Sequence, residues 1–186
     1  MADVVRTRIA DDARMPKRRT LDERLMVRWP GAYAALSRAM LALPPRSRLR
    51  RSLLRRNALS AWGAWLRGDL DLVLVRFAHD FEYQPPREWQ AAGMRRAYRG
   101  HAGLREWSAD MREAWEWLEN RPVEVIDAGN ALVFVNHVRL RARSSGVEFN
   151  SPFGFVISIE RGLVVREQDF SDLGEALRAA DIQQPA

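Results

Sequence analysis

Few side chains in this 186-residue chain could move a proton or a group. There is no cysteine, which excludes a thiol nucleophile, an iron–sulfur cluster and a cysteine zinc site. Of the three histidines, His79 beside Asp80 is a candidate general base, because imidazole changes charge near neutral pH. His79-x-x-Glu82 has no evident third ligand, so the pair reads as a hydrogen bond, and neither a metal nor another cofactor is expected. Asp169 ends a run, residues 163–170, that reads as a strand, and there it shares a face with Glu167 and Val165. If that face is lined by rings, the carboxylate is poorly hydrated and reactive. If it faces solvent, Asp169 is a strand-end carboxylate that caps the next helix.

The elements that must position these groups follow from period and punctuation. Thr20-Leu21-Asp22-Glu23 has the pattern of a capping box and predicts a helix to about Trp29. Pro30-Gly31 ends it, and a second helix runs over 32–43. A long helix over 47–66 puts Leu54, Ala58, Ala61, Trp62 and Trp65 on one face. Gly68 caps it, and Asp69 starts a short helix that His79 and Asp80 close. Phe81-Glu82-Tyr83 reads as a short strand, and 84–99, with two prolines and a glycine, as an irregular flap. A helix over 101–119 carries the stripe Leu104, Trp107, Met111, Trp115 and Leu118.

From Pro122 the texture changes to strands at 123–126, 131–143, 147–159 and 163–170, with a turn at Asp127-Ala128-Gly129-Asn130. Pro152 and Gly154 predict a bulge in the third of these. On 131–143, Leu132, Phe134, Asn136, Val138 and Leu140 share the face expected to meet the core. His137 falls with Arg139 and Arg141 on the other face. Ser171 or Asp172 caps a closing helix. Helices first and an antiparallel meander after them make an α+β fold.

Charge is uneven. Residues 1–57 hold fifteen of the thirty basic residues and five of the twenty-four acidic ones, so the remainder is mildly acidic. The run Arg46, Arg48, Arg50, Arg51, Arg55 and Arg56 reads as a solvated helix face packed through its leucines. It has no aromatic interleaving, so no nucleic-acid partner is expected. No apolar run reaches ~18 residues, so no transmembrane segment is expected. The first residues lack the apolar core of a secretory signal, and a cytoplasmic protein is the expectation.

Several motifs in order carry a resemblance. Trp62-Gly63-Ala64-Trp65-Leu66-Arg67-Gly68-Asp69, Phe77-Ala78-His79-Asp80-Phe81-Glu82, Arg99-Gly100-His101-Ala102-Gly103-Leu104, Arg139 to Gly146, and Glu160-Arg161-Gly162 with Phe170-Ser171-Asp172 resemble the SnoaL-like family of the nuclear transport factor 2-like superfamily. The resemblance covers about residues 50–182. It implies a cone-shaped α+β barrel: a strongly curved, mostly antiparallel sheet with helices over its concave face, one apolar cavity, and homodimers through the sheet. Asp80 fits the usual acid of the superfamily after the second short helix. Positions matching the steroid isomerases fall near Ala61, Tyr83 and Gly154-Phe155, which argues against that reaction. Against limonene-epoxide hydrolases, Gln168-Asp169-Phe170-Ser171-Asp172 places Asp169 at a catalytic acid, while Phe134 and Asn136 break the rest of the pattern.

These readings divide the chain into a disordered arm (1–19), a short helical extension (20–45), the SnoaL-like domain (46–182) and a tail (183–186). The expected ligand is small, flat and apolar or aromatic. Trp62, Trp65, Tyr83, Trp107, Met111, Trp115, Phe134, Asn136, Phe153 and Phe155 are expected to bind it. Asp169 is the expected catalytic acid or base, with His79 and Asp80 as the second choice. The reaction class is proton transfer of cyclase, isomerase, dehydratase or hydrolase type. The alternative is a non-catalytic binding or dimerisation module whose rings fill the cavity.

Overall fold

A computed structural model describes residues 4–10, 13, 15–129 and 131–182. Asn130 of the expected turn and the tail at 183–186 lie outside the described residues. The helices are α1 (Leu21–Arg28), α2 (Pro30–Leu41), α3 (Arg48–Leu66), α4 (Leu70–Leu74), α5 (Gly100–Ala114) and α6 (Leu173–Ala179). The strands are β1 (Val5–Arg8), β2 (Phe77–Gln84), β3 (Tyr98–Arg99), β4 (Trp115–Asp127), β5 (Leu132–Ala142), β6 (Glu148–Glu160) and β7 (Leu163–Phe170).

Local chemistry sets most boundaries. The Thr20 backbone N–H donates to Glu23 Oε2 at 3.0 Å, completing the capping box of α1. Pro30 opens α2 at a position where a missing N–H is harmless, so the Pro-Gly pair starts a helix as well as ending one. Ser47, Asp69 and Asp172 cap α3, α4 and α6 through their side chains.

The sheet corrects the expected architecture. Its seven strands lie in the order β1-β4-β5-β6-β7-β2-β3. It is neither a closed barrel nor a cone: β1 and β3 are its two edges and do not pair with each other. Closure needs end strands that exchange a ladder in matching register. Here one edge strand has four residues and the other two. All pairings are antiparallel except β2 with β7, where Tyr83 lies opposite Glu167.

Four further expectations change. Val5–Arg8 belongs to the sheet and not to a disordered arm, pairing with Glu124–Asp127 of β4. His79 and Asp80 lie within β2 and close no helix, since α4 stops at Leu74. The helix expected to reach 119 ends at Ala114, and Trp115 and Leu118 belong to β4. Their helical spacing is overridden by a ladder with β5 that runs from Ala142 to Leu132. Finally, β6 keeps an unbroken register with β5 through Pro152 and Gly154. Strand β7 joins β6 only from Gly154 on, so Pro152 sits where β6 has one neighbour.

The two faces of β5 bury different cores. Leu132, Phe134, Val138 and Leu140 meet the residues of α3, α4 and α5. Val133 and Val135 meet Ala176 and Leu177 of α6. Gly154 permits the second contact, because a Cβ there would collide with the Cβ of Ala176. His137 and Arg139 are exposed.

Of the arginine run only Arg50 is built into the core; Arg46, Arg48, Arg51, Arg55 and Arg56 are exposed, as expected of a solvated helix face. Arg50 and Asp127 are each 2% exposed and pair through two bonds of 2.7 Å, and Arg50 also donates to the carbonyls of Leu41 and Leu43. Arg51 donates to Thr7 Oγ1 and Arg56 to Asp22. Leu54 is buried, whereas Leu49 is exposed.

Candidate functional site

An aromatic-lined apolar cavity of about 110 Å³ lies between the helices and the sheet. Helix α3 supplies Trp62 and Trp65, and α5 supplies Trp107 and Met111. Trp107 stacks on Trp65 at 4.3 Å and meets Tyr83 at 4.6 Å. Trp62 packs 5.4 Å from both Phe134 and Phe155. Gly100, at φ +63°, lets α5 start hard against β2: a Cβ there would stand 2.6 Å from the carbonyl oxygen of His79. That close start brings Trp107, two turns on, to the cavity.

The polar end of the cavity is on β7. Asp169 and Glu167, two residues apart on one face, both line it. Asp169 is buried, and Tyr83 donates its hydroxyl to Asp169 Oδ2 at 2.6 Å. Asp169 Oδ1 has no partner among the described residues. Burial, and then the charge of Glu167, push the Asp169 carboxyl well above the usual range, while the Tyr83 bond pulls the other way. Burial alone pushes Glu167 up to about 7. Tyr83 is itself raised, by burial first and Asp169 second.

The expected residues separate into two groups. Trp62, Trp65, Tyr83, Trp107, Met111, Phe134, Phe155 and Asp169 come together around the cavity. Trp115 and Phe153 do not line it: both stand behind Trp89, each at 5.3 Å. Asn136 is fully buried and does not itself line the cavity, but it bonds to Asn120 and Trp62, which do. Its amide meets Asn120, and with its oxygen turned toward α3 it accepts from Trp62 Nε1 and donates to Val135 O at 3.1 Å. It therefore holds Trp62 in place and does not face Asp169. His79 and Asp80 are exposed on β2, outside the lining, and the His79 ring stacks on His101 at 4.4 Å.

Several lining residues escaped the sequence reading. Trp89 comes from the 3₁₀ turn Arg87–Ala92 inside the supposed irregular flap, where no period marks it. Glu167 was legible only as a companion of Asp169 on the strand face. Tyr33, Ser37 and Met40 of α2 also line the cavity, so the helical extension forms part of its wall. The other side of that wall borders an apolar groove of about 650 Å³ that shares Tyr33, Ser37 and Met40. Arg76, just before β2, completes the lining near Tyr33.

Four buried side-chain polar atoms lack a partner among the described residues: Arg76 Nε, Trp107 Nε1, Asp169 Oδ1 and Arg141 Nε. The first three belong to residues that line this one cavity. The fourth stands 3.4 Å from Glu116 in a loose, exposed ion pair and belongs to no residue of this cavity. Unpaired buried donors and acceptors are costly, so three on residues lining one apolar space make this cavity the candidate functional site.

Comparison with known proteins gives one family. The model of the SnoaL-like domain matches residues 58–167. Among solved structures, the chain is similar to a nuclear transport factor 2-like protein of unknown function from Burkholderia pseudomallei K96243, at 24% identity and a TM-score of 0.57, over 66% of this chain and 93% of that one. It is similar to TerC co-crystallised with polyporic acid, at 19% identity and a TM-score of 0.56, over 68% and 96%. It is also similar to a nuclear transport factor 2-like protein from Burkholderia xenovorans LB400, at 27% identity and a TM-score of 0.51, over 64% and 88%. No curated protein matches. No helix among the described residues is long and apolar enough to cross a membrane.

Proposed function

The chain belongs to the SnoaL-like domain family, and from that premise we propose that its cavity binds a flat, largely apolar small molecule and moves a proton on it. The observation that carries this reading is the trio of unpartnered polar atoms around one aromatic space. Rings supply the binding surface, and the polar atoms fix the orientation.

The carboxylates divide the proton work. Asp169 is held neutral, and because Tyr83 donates to its Oδ2, its proton belongs on Oδ1, the atom without a partner. Asp169 is then the acid, delivering that proton to a carbonyl oxygen of the ligand. Glu167, poised at about 7, is the base that takes a proton from the carbon next to that carbonyl. The product of the two transfers is the enol; where the ligand is a β,γ-unsaturated ketone it is a dienol, and Glu167 returning its proton to the γ-carbon while the enol O–H proton goes back to Asp169 completes an isomerisation. Trp107, whose Nε1–H is without a partner and which lines the same cavity, is the donor assigned here to that oxygen as charge builds on it.

The test is hydrogen exchange. A panel of one-ring aryl ketones is incubated with the protein in deuterated water, and deuterium gain at the carbon beside the carbonyl is followed by NMR. Exchange in the wild type that is lost in Asp169→Asn and in Glu167→Gln supports the reading. Exchange unchanged in both variants, or a panel that neither binds nor exchanges, overturns it.

A further inference from the structure

Among the described residues two arginines are buried, and they are treated differently. Arg50 has a carboxylate at bonding distance through two nitrogens and two backbone carbonyls besides. Arg76 is 4% exposed and makes no ion pair among the described residues. Its Nη1 donates to Leu72 O and its Nη2 to Ser60 Oγ at 2.7 Å, both neutral acceptors. The nearest acid reached through this chain is Glu23, which accepts from Ser60 Oγ at 2.6 Å. Glu23 is already paired with Arg67 and with the Thr20 backbone. The Tyr33 ring lies 5.8 Å from the Arg76 guanidinium carbon, and Arg76 Nε is left with no acceptor. A buried cation whose nearest acid is a hydroxyl away and already paired elsewhere is poorly compensated, an expensive arrangement for a structural residue.

We propose that Arg76 is the anchor for an anionic oxygen group of the ligand, a carboxylate or an enolate-type oxygen, which Arg76 Nε and the adjoining face of the guanidinium receive. This deepens the proposed function and rests on it. Val164 donates its N–H to the Arg76 carbonyl at 2.8 Å, which ties the Arg76 backbone to the start of β7. Glu167 and Asp169 follow Val164 by three and five residues, so their backbones lie about 10 and 16 Å further along the strand at ~3.3 Å per residue. The cavity lining is therefore bipolar, with a cation toward one end of β7 and the two carboxyl groups toward the other. A ligand for it has an acidic oxygen group directed at Arg76 and a single flat ring among the aromatics, the size that about 110 Å³ admits. A fixed guanidinium selects such an acid over its neutral analogue because the analogue leaves the cation unpaired.

The experiment compares benzoate with benzamide, the same ring with and without charge, by ligand-observed NMR titration of the full chain at pH 7.5. The wild type is expected to bind the acid at least tenfold more tightly than the amide. Arg76→Gln is expected to bring the acid down to the amide's affinity while leaving the amide unchanged, and Arg76→Lys to keep part of the preference. Should Arg76→Gln fail to fold, the wild-type preference and its partial retention in Arg76→Lys carry the decision. Amide and acid bound equally by the wild type, or a preference that survives Arg76→Gln, overturns the anchor and leaves the cavity reading standing. Binding of neither probe overturns both.

Discussion

Replacing Glu167 with glutamine should stabilise the protein at alkaline pH and do little at acid pH. Glu167 has a pKa of about 7 in the fold, against 4.5 for the ordinary side chain. Between those values the unfolded chain has released a proton that the native chain still holds. Native stability therefore falls as pH rises through that window, and above it the loss is complete. A shift of this size corresponds to about 3 kcal/mol at 1.36 kcal/mol per unit. Glutamine keeps the shape and removes the titration. The assay is urea unfolding of wild type and Glu167→Gln at pH 5 and pH 8. The variant should gain roughly 2–3 kcal/mol more over the wild type at pH 8 than at pH 5. Asp169, also raised and in part by Glu167, titrates with it, and relieving their repulsion acts in the same direction. A difference between the two proteins that is independent of pH, or a variant weaker at pH 8 than at pH 5 relative to wild type, would refute the reasoning.

Other consequences follow from single contacts. Tyr83→Phe leaves Asp169 Oδ2 without its donor, and should cost about 1–3 kcal/mol in denaturant unfolding. It should also move the Asp169 titration further up, since the Tyr83 bond is what lowers it. Asp127→Ala strands the buried Arg50 and should cost about 3–5 kcal/mol in the same assay, far more than loss of the exposed Arg56–Asp22 pair. Gly154→Ala pushes a methyl into Ala176 and should cost about 1–3 kcal/mol, with Ala176→Gly restoring stability in the double variant. Removing residues 1–45 takes away Tyr33, Ser37 and Met40 from the cavity wall and Glu23 from beneath Ser60. The shortened chain should melt lower and self-associate in size-exclusion chromatography; equal stability and a monodisperse peak would count against a packed extension.

Periodic and capped segments were legible in the sequence. The capping box of α1, the Asp69 and Asp172 caps, the face alternation of β5 and the limits of β7 all rest on local chemistry that the chain carries within a few residues. Closure of the sheet was not legible, because it depends on whether two distant edges meet, and the short β1 and β3 do not. Trp115 and Leu118 continue a helical stripe by spacing, yet they extend β4, because a long partner strand outweighs local period. At the site, Asp169 and most of the rings followed from alternation and helical faces. Trp89 and Tyr33 did not, since each reaches the cavity from a segment whose position is set by tertiary packing. Arg76 was hidden for a further reason: in a chain rich in arginine, nothing local distinguishes a buried, poorly compensated guanidinium from a solvated one.

The central claim is that two carboxyl groups at one end of an aromatic cavity are held in the protonation states that acid–base work needs. Carbon-13 labelling of the Asp and Glu carboxyl groups, followed by NMR across pH 3 to 9 and assigned with Asp169→Asn and Glu167→Gln, reads this directly. The account predicts one carboxyl that titrates near pH 7, lost in Glu167→Gln, and one that stays protonated above the ordinary carboxylate range, lost in Asp169→Asn. If both groups instead titrate near pH 4 with the surface carboxylates, the cavity end is wet and unremarkable, and the assignment of acid and base is wrong.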